Sequence, residues 1–371
     1  MCSKNQQVIN KKQKNVFVEY LRFIFAVTIV FHHMIALNGI DKNTFILKNG
    51  NLAVEFFAVL SGFLMASSIS VITSKQLGNT IHYSFKFMYR KWSKLLVMNV
   101  VSFLLVFVAR QFVMPWEGVM KLFKRLTDNL SEMLLLSTTG IKGVTMNYNG
   151  ADWYLSAMFI SMLVIVPLFF WKPNLFKYYC FPTGILLLGF LMKLNGSIIA
   201  TEADWHGVLC LGNLRIMGEL LLGCAVYYAY VKCDCISEKI KKILRIPTIV
   251  GWIVFLYFCH RGVTKETTPA IVIFTCIILW FSFISFNSWN PPKFVRKIGE
   301  ALGYFSLPLY LNHRGWVFVI KNMNLDVSPV SQVVLVFGIS IISALLVTLI
   351  CRYLLPALVT RIKASFKPET A

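Results

Sequence analysis

Long apolar runs are the feature that most restricts how this chain can fold. Ten of them approach the ~20 residues that an α-helix needs to cross ~30 Å of hydrocarbon, and more polar segments separate them. The pattern of alternating strands that builds a membrane barrel is absent from the sequence. We therefore predict an all-α, polytopic membrane bundle of about ten transmembrane helices. The predicted spans cover residues 16–37, 51–72, 95–114, 151–171, 179–195, 212–231, 247–260, 268–286, 301–320 and 332–356.

The composition agrees with a lipid environment and with a single domain. Hydrophobic residues make up 57% of the 371 residues and charged residues only 14%, whereas soluble domains carry about 25% charged residues. We predict a basic cytoplasmic N-terminus at 1–15, one transmembrane domain at 16–356 and a cytoplasmic tail at 357–371. The segment Met120–Gly140 is predicted to form an amphipathic helix that rests on the outer membrane surface.

The net charge of +21 could suggest nucleic-acid binding, but the positions of the cations argue against it. With the N-terminus inside, 22 lysines and arginines fall in cytoplasmic segments and 10 in outer segments. This asymmetry follows the positive-inside rule and predicts that both termini are cytoplasmic. The expected electrostatic partners are therefore membrane lipids, and no nucleic acid is expected.

Familiar catalytic and metal-binding motifs are missing. The sequence has no Walker loop, no GxSxG elbow and no HExxH, and its nine cysteines are scattered. We expect no metal centre. Any chemistry should then come from polar side chains inside the bundle, where ionisable groups are costly and are functional candidates by default.

The first span carries the most unusual polar residues, in "EYLRFIFAVTIVFHHM". His33 follows Arg22 by 11 residues. At ~100° per residue the two lie within about 20° of one helical stripe and about 16 Å apart along the axis. His32 is displaced from that stripe by about 80°. A neutral histidine can accept a hydroxyl proton near neutral pH, so His33 is a candidate general base. The alternative is that Arg22 only snorkels to the inner surface and that the histidines cap the outer helix end.

Several blocks of the sequence resemble one family. "LRFIFAVTIVFHH" is similar to the arginine, ten residues, histidine signature of the membrane-bound acyltransferase 3 family, and His33 is the matching histidine. "AVEFFAVLSGFLMA" and "RKWSKLL" resemble the second-helix block and the basic stretch before the third helix, although Met98 stands where a proline is common. "WYLSAMFI", "LRIMGELLLGCAVYY" and "LGYFSLPLYLNH" resemble later blocks. The resemblance covers residues 17–315.

The resemblance implies an O-acyltransferase with ten helices. Such an enzyme takes an acyl group, commonly acetyl, from cytoplasmic acyl-CoA and places it on a hydroxyl of a carbohydrate, a lipid-linked glycan or another cell-envelope acceptor. Some members carry an additional extracytoplasmic hydrolase-like domain. Without one, transfer is expected either within the bundle or with a separate extracytoplasmic partner protein. The resemblance also implies a prokaryotic plasma or inner membrane.

The donor is expected on the cytoplasmic side. A guanidinium is well suited to phosphate or to a polarised thioester oxygen, so Arg22 is assigned to CoA binding and catalysis. Lys86, Arg90 and Lys94 recur every four residues and form one helical stripe that could receive the CoA phosphates. Attraction to anionic lipid is an equally good explanation of that stripe.

The remaining candidates are more ambiguous. Glu55, the acid inside the second span, could orient His33, pair with an arginine or be structural. Trp153, Arg215 and His313 are candidates for substrate binding, but they could equally serve as an interfacial anchor, an ion-pair partner of Glu219 and a helix-packing residue. The main alternative function is a transporter or flippase for a glycolipid or small anion, which would line its path with the same polar residues.

Overall fold

The computed structural model describes residues 14–73, 80–141, 148–233 and 236–357. Most of the predicted N-terminal segment and of the predicted tail therefore lies outside the described residues. The described chain forms helices α1 Val16–Met34, α2 Ala53–Thr73, α3 Thr80–Gln111, α4 Val119–Asp128, α5 Leu130–Met133, α6 Trp153–Trp171, α7 Pro173–Asn195, α8 Leu211–Val231, α9 Glu238–Arg261, α10 Thr268–Phe286, α11 Lys293–Asn322 and α12 Pro329–Leu349, with a two-stranded hairpin of β1 Trp205–His206 and β2 Leu209–Cys210.

The architecture is the predicted all-α membrane bundle. Within the described ranges, nine helices are long and apolar enough to cross a membrane. They correspond to the predicted spans except 301–320, which lies inside α11. Helix α11 has 30 residues, enough to cross a bilayer, but it carries Asn312, His313 and Arg314 together in its C-terminal half. Those polar residues lower its hydropathy, and Asn312 and His313 avoid lipid because they are buried inside the bundle.

Two predicted spans are too short at their N-terminal ends. Helix α3 begins at Thr80 rather than at residue 95, and α9 begins at Glu238 rather than at 247. In α9 the start is defined by Ser237, whose side chain accepts a hydrogen bond from the backbone N–H of Ile240. Helix α9 begins with a charged turn, and α3 carries Lys86, Arg90, Lys91 and Lys94 ahead of its apolar part, because both helices extend beyond the apolar core of the span.

The packing centre of the bundle consists of two close helix pairs. Helix α1 packs along α11, and α2 packs along α8. In the second pair, Gly62 of α2 and Gly223 of α8 allow the backbones to touch, because a Cβ at Gly62 would meet the Leu220 carbonyl and one at Gly223 would meet the Val59 carbonyl. The packing of α1 on α11 and of α2 on α8 brings the polar residues of these four helices into the interior of the bundle.

The predicted amphipathic helix at Met120–Gly140 is wrong in its second half. Helix α4 is amphipathic, with Val119, Met120 and Phe123 exposed. The chain then breaks at Asn129, and α5 turns inward so that Glu132 and Leu135 are buried. In this position the Glu132 carboxylate accepts hydrogen bonds from backbone N–H groups of the segment that precedes α6.

Candidate functional site

Two histidines from opposite ends of the chain meet inside the bundle. His33 lies in the last turn of α1, and His313 lies on the face of α11 that packs against it. The Nδ1 atom of His33 is 3.1 Å from Nε2 of His313. His313 is fully buried, whereas His33 keeps some exposure.

The hydrogen bonds of this pair define which nitrogen carries the lone pair. Nδ1 of His313 donates to the Tyr310 carbonyl at 2.6 Å, because a carbonyl can only accept. In the neutral tautomer Nε2 of His313 is then an acceptor, so Nδ1 of His33 donates to it and to the Ile29 carbonyl at 3.0 Å. The lone pair of neutral His33 is therefore on Nε2, as a general base requires.

His32 has a different role from His33. Its Nδ1 donates to the Lys48 carbonyl at 2.6 Å and ties α1 to the loop that leads into α2. The two adjacent histidines thus have different hydrogen-bond partners, and the assignment of His33 as the base stays a prediction.

Arg22 lies about 16 Å below His33 on α1. It forms an ion pair with Glu19 at 2.9 Å and its side chain is 28% exposed. The exposed part faces a cavity of about 210 Å³. That cavity runs from Arg22 and Lys91 toward Ile29 and Tyr310, the two residues whose carbonyls hold the histidine pair.

A second cavity contains the predicted CoA-binding cations. Lys86, Arg90 and Lys94 line a space of about 520 Å³, together with Lys91. Leu64 and Lys91 line both cavities, so the two spaces adjoin. The structure thus brings Arg22 and the basic stripe of α3 to adjoining spaces, and these form one route from the exposed cations into the bundle.

One face of α2 follows this route from end to end. Val54, Phe57 and Ser61 line the smaller cavity, Leu64 lines both, and Ser68 lines the basic one, with Ile72 at its far end. Val54 and Ile72 are 18 residues apart, which corresponds to about 27 Å along a helix. The lining of the two spaces therefore covers most of the length of α2.

Glu55 pairs with an arginine, one of the alternatives that the sequence left open. Its Oε1 accepts from Nη2 of Arg215 at 2.5 Å, and Nε of Arg215 donates to Glu219 at 3.1 Å. The guanidinium also lies 5.8 Å from the centre of the Trp153 ring and donates to the Ala200 carbonyl. Glu55 thus forms an ion pair with Arg215. The hydrogen-bond partners of His33 are instead the Ile29 carbonyl and His313.

Trp153 and Arg215 are therefore part of a buried ionic cluster. Trp153 is only 8% exposed, so its ring packs inside the bundle and does not face lipid headgroups as an aromatic anchor would. The cluster joins α2 through Glu55, α6 through Trp153 and α8 through Arg215 and Glu219. Removing one charged member would leave an uncompensated buried charge and destabilise this contact. Contact with a substrate at Trp153 or Arg215 remains a prediction.

A polar layer lies beyond the histidine pair. The Glu132 carboxylate accepts backbone N–H groups of Tyr148 at 2.8 Å, of Asn149, and of Gly150 at 2.6 Å. Arg314, next to His313, donates to the Gly150 carbonyl at 2.6 Å. Burial raises the pKa of Glu132 above its ordinary value, although the three N–H groups and Arg110 oppose that shift.

Sequence reasoning missed four residues of this site. Lys91 lies beside Arg90 in a cluster of cations, so the sequence did not distinguish it from them. Tyr154, Tyr310 and Glu132 belong to no helical stripe of polar residues that would have marked them as functional. Lys91, Tyr154 and Tyr310 could have been suspected, because each lies in a block that resembles the family. Glu132 becomes recognisable only when the helices are packed.

Comparison with known proteins identifies the family of the chain. A family model described as an acyltransferase domain matches residues 15–353 of the 371. Searches of curated proteins and of solved structures give no match. Because the matched region covers most of the chain, the chain belongs to the acyltransferase 3 family of integral-membrane acyltransferases.

Proposed function

We propose that this membrane acyltransferase moves an acyl group, most simply acetyl, from cytoplasmic acyl-CoA to a hydroxyl of a carbohydrate or lipid-linked glycan of the cell envelope. The observation that carries the proposal is the internal route. It begins among four cations and ends beside the carbonyls that orient the histidine pair. A cationic mouth suits the CoA phosphates, and an apolar tunnel suits an extended thioester arm.

The donor would enter from the cytoplasm. Lys86, Arg90 and Lys94 are exposed and Lys91 is half-buried, so phosphates held at the mouth would be partly withdrawn from water. Arg22 is too far along α1 to share reacting atoms with His33. It would instead hold the donor below the reaction centre, as the 16 Å separation requires.

His33 would act as the general base. Its Nε2 would take the proton of the acceptor hydroxyl while that oxygen bonds to the thioester carbonyl carbon. The carbon–sulfur bond would then break, and CoA would leave as a thiolate that receives the proton from His33. His313 would stabilise the intermediate imidazolium, since its Nε2 accepts the Nδ1–H of His33.

The acceptor would approach from the extracytoplasmic side. His33 lies near the outer end of α1, and the partly exposed Arg314 connects the layer beside His313 to the surface. A prokaryotic plasma membrane fits such an acceptor. A separate extracytoplasmic protein could still complete delivery of the group.

The test uses membranes from cells that express the chain, supplied with acetyl-CoA, with release of free CoA thiol as the readout. Wild-type membranes should release CoA, and surface glycans should gain the mass of an acetyl group. His33→Ala should abolish both, whereas His206→Ala, an exposed histidine of β1, should not. Normal release by His33→Ala would contradict the assigned base. Movement of an unmodified glycolipid without CoA release would favour a flippase.

A further inference from the structure

A hydroxyl pair interrupts the apolar part of the internal route. Ser61 of α2 and Tyr154 of α6 both line the smaller cavity, and their hydroxyl oxygens are 3.0 Å apart. Ser61 is seven residues from Val54 at one end and eleven from Ile72 at the other. The pair thus lies between the cationic mouth and the histidine pair.

This pair has more hydroxyl protons than it has strong acceptors. The two hydroxyl groups carry two protons, and one proton is used in the bond between them. The only other partner described for either group is the Met158 thioether, 3.8 Å from the Tyr154 oxygen, and a thioether is a weak acceptor. One O–H group therefore remains available to a stronger acceptor in the cavity.

Helix packing does not account for Ser61. The contact between α2 and α8 is made by Gly62, the next residue, which faces the Leu220 carbonyl. Ser61 points instead into the cavity beside Phe57 and Leu60. Nucleophilic catalysis is also poorly supported, because the hydrogen-bond partner of Ser61 is a phenol rather than a histidine.

The position of the pair matches a chemical feature of the donor. In acyl-CoA, amide groups lie along the pantetheine arm between the phosphates and the thioester. With phosphates at the mouth and the thioester near His33, an amide carbonyl would lie in the middle of the route. We propose that Ser61 and Tyr154 form a subsite that binds a pantetheine amide carbonyl of the donor. This inference rests on the proposed function.

Such a subsite would set the depth of the donor. Most other residues that line the smaller cavity are apolar, although Arg22, Lys91, Ser306 and Tyr310 also line it. The thioester arm could slide along the apolar part unless a polar group fixes it. A hydrogen bond in a water-poor tunnel is both strong and directional. The Ser61–Tyr154 pair would thereby hold the thioester at the height of the histidine pair.

The experiment compares thioester donors that differ in one part. Acetyl-CoA has phosphates and amides, acetyl-pantetheine lacks the nucleotide phosphates, and S-acetyl-2-mercaptoethanol lacks the amides. Ser61→Ala and Tyr154→Phe should raise KM roughly tenfold for the first two donors, the effect of one lost hydrogen bond. Both variants should leave kcat/KM for S-acetyl-2-mercaptoethanol unchanged.

Matched controls and a binding assay separate the outcomes. Ser67→Ala, on a different face of α2, and Tyr228→Phe, on α8, should keep the wild-type KM. Stabilisation of the purified protein by free CoA should weaken in Tyr154→Phe and persist in His33→Ala. Equal losses with all three donors, or no change in KM, would overturn the subsite even if His33→Ala is inactive. An absence of CoA release by wild-type protein would instead overturn the proposed function.

Discussion

Nε2 of His313 accepts the Nδ1–H of His33 across 3.1 Å, although 280 residues separate the two side chains. The Tyr310 carbonyl fixes the His313 tautomer, and His313 in turn fixes that of His33. The arrangement resembles a catalytic dyad in which the outer member orients the base instead of reacting. Under the proposed function His313 would be a positioning residue, so its replacement should affect the rate differently from replacement of His33.

The first prediction concerns this difference. His33→Ala should lower kcat by about 10²-fold or more, as expected for loss of a general base. His313→Gln should lower kcat less, because its amide can accept the Nδ1–H of His33 but cannot share an imidazolium charge. His313→Leu should approach the His33→Ala rate, since it leaves that N–H with only the Ile29 carbonyl. The measurement is kcat and its pH profile with acetyl-CoA.

A result in which all three variants have equal kcat but altered KM would contradict the assigned roles. It would indicate that the histidines bind a ligand together rather than transfer a proton. His206→Ala supplies the baseline, because His206 lies in the outer hairpin.

The sequence predicted the bundle well because membrane spans are local features. Length and hydropathy locate a span without reference to its neighbours, and the stripe of Arg22 and His33 depends on one helix alone. The contact of His33 with His313 and that of Glu55 with Arg215 join residues far apart in sequence. Which helices pack together depends on small residues such as Gly62 and Gly223, which allow two helix backbones to touch. The hydrophobic periodicity of one helix does not reveal which glycine it will meet on another.

The second prediction concerns the cations of α3. Replacing Lys86 and Arg90 by Gln should raise KM for acetyl-CoA and weaken its salt dependence, because exposed charges are screened by ions. The same variant should keep the wild-type KM for acetyl-pantetheine, which lacks the nucleotide phosphates. Lys121→Gln, on the amphipathic helix α4, is the matched control.

The competing explanation of these cations is attraction to anionic lipid. Under that explanation, the KM of the variant should depend on the lipid composition of reconstituted vesicles. The shift in KM should also be the same for acetyl-CoA and acetyl-pantetheine. A shift common to acetyl-CoA and acetyl-pantetheine would therefore remove the phosphate assignment.

The third prediction concerns the buried ionic cluster. Arg215→Met should destabilise the folded protein by about 3–5 kcal/mol, because it leaves two carboxyl groups buried without their guanidinium partner. The triple variant Glu55→Gln, Arg215→Met, Glu219→Gln should recover much of that loss, since no member then carries an unpaired charge. Size-exclusion behaviour and thermal unfolding in detergent measure the effect. Equal instability of the single and triple variants would show that the cluster acts through packing alone.

The fourth prediction concerns pH and the outer loop. Burial raises the pKa of Glu132 in the folded protein above its unfolded value. The folded state therefore binds the Glu132 proton more tightly than the unfolded state does. The associated stability is fully present below the unfolded pKa and is lost as pH rises through the raised folded pKa. Glu132→Gln is neutral at every pH and should remove this part of the slope.

The slope of stability with pH is more informative than its absolute level. Glutamine has one acceptor oxygen for the N–H groups of Tyr148, Asn149 and Gly150, so Glu132→Gln should be less stable overall while depending less on pH. Glu117 provides an internal contrast, because hydrogen bonding to Lys121 lowers its pKa and gives a contribution that is lost as pH falls. Thermal unfolding followed by tryptophan fluorescence from acidic to alkaline buffer should therefore show slope changes of opposite sign for Glu132→Gln and Glu117→Gln. Identical slopes in wild type and Glu132→Gln would mean that Glu132 keeps the same charge in the folded and unfolded states.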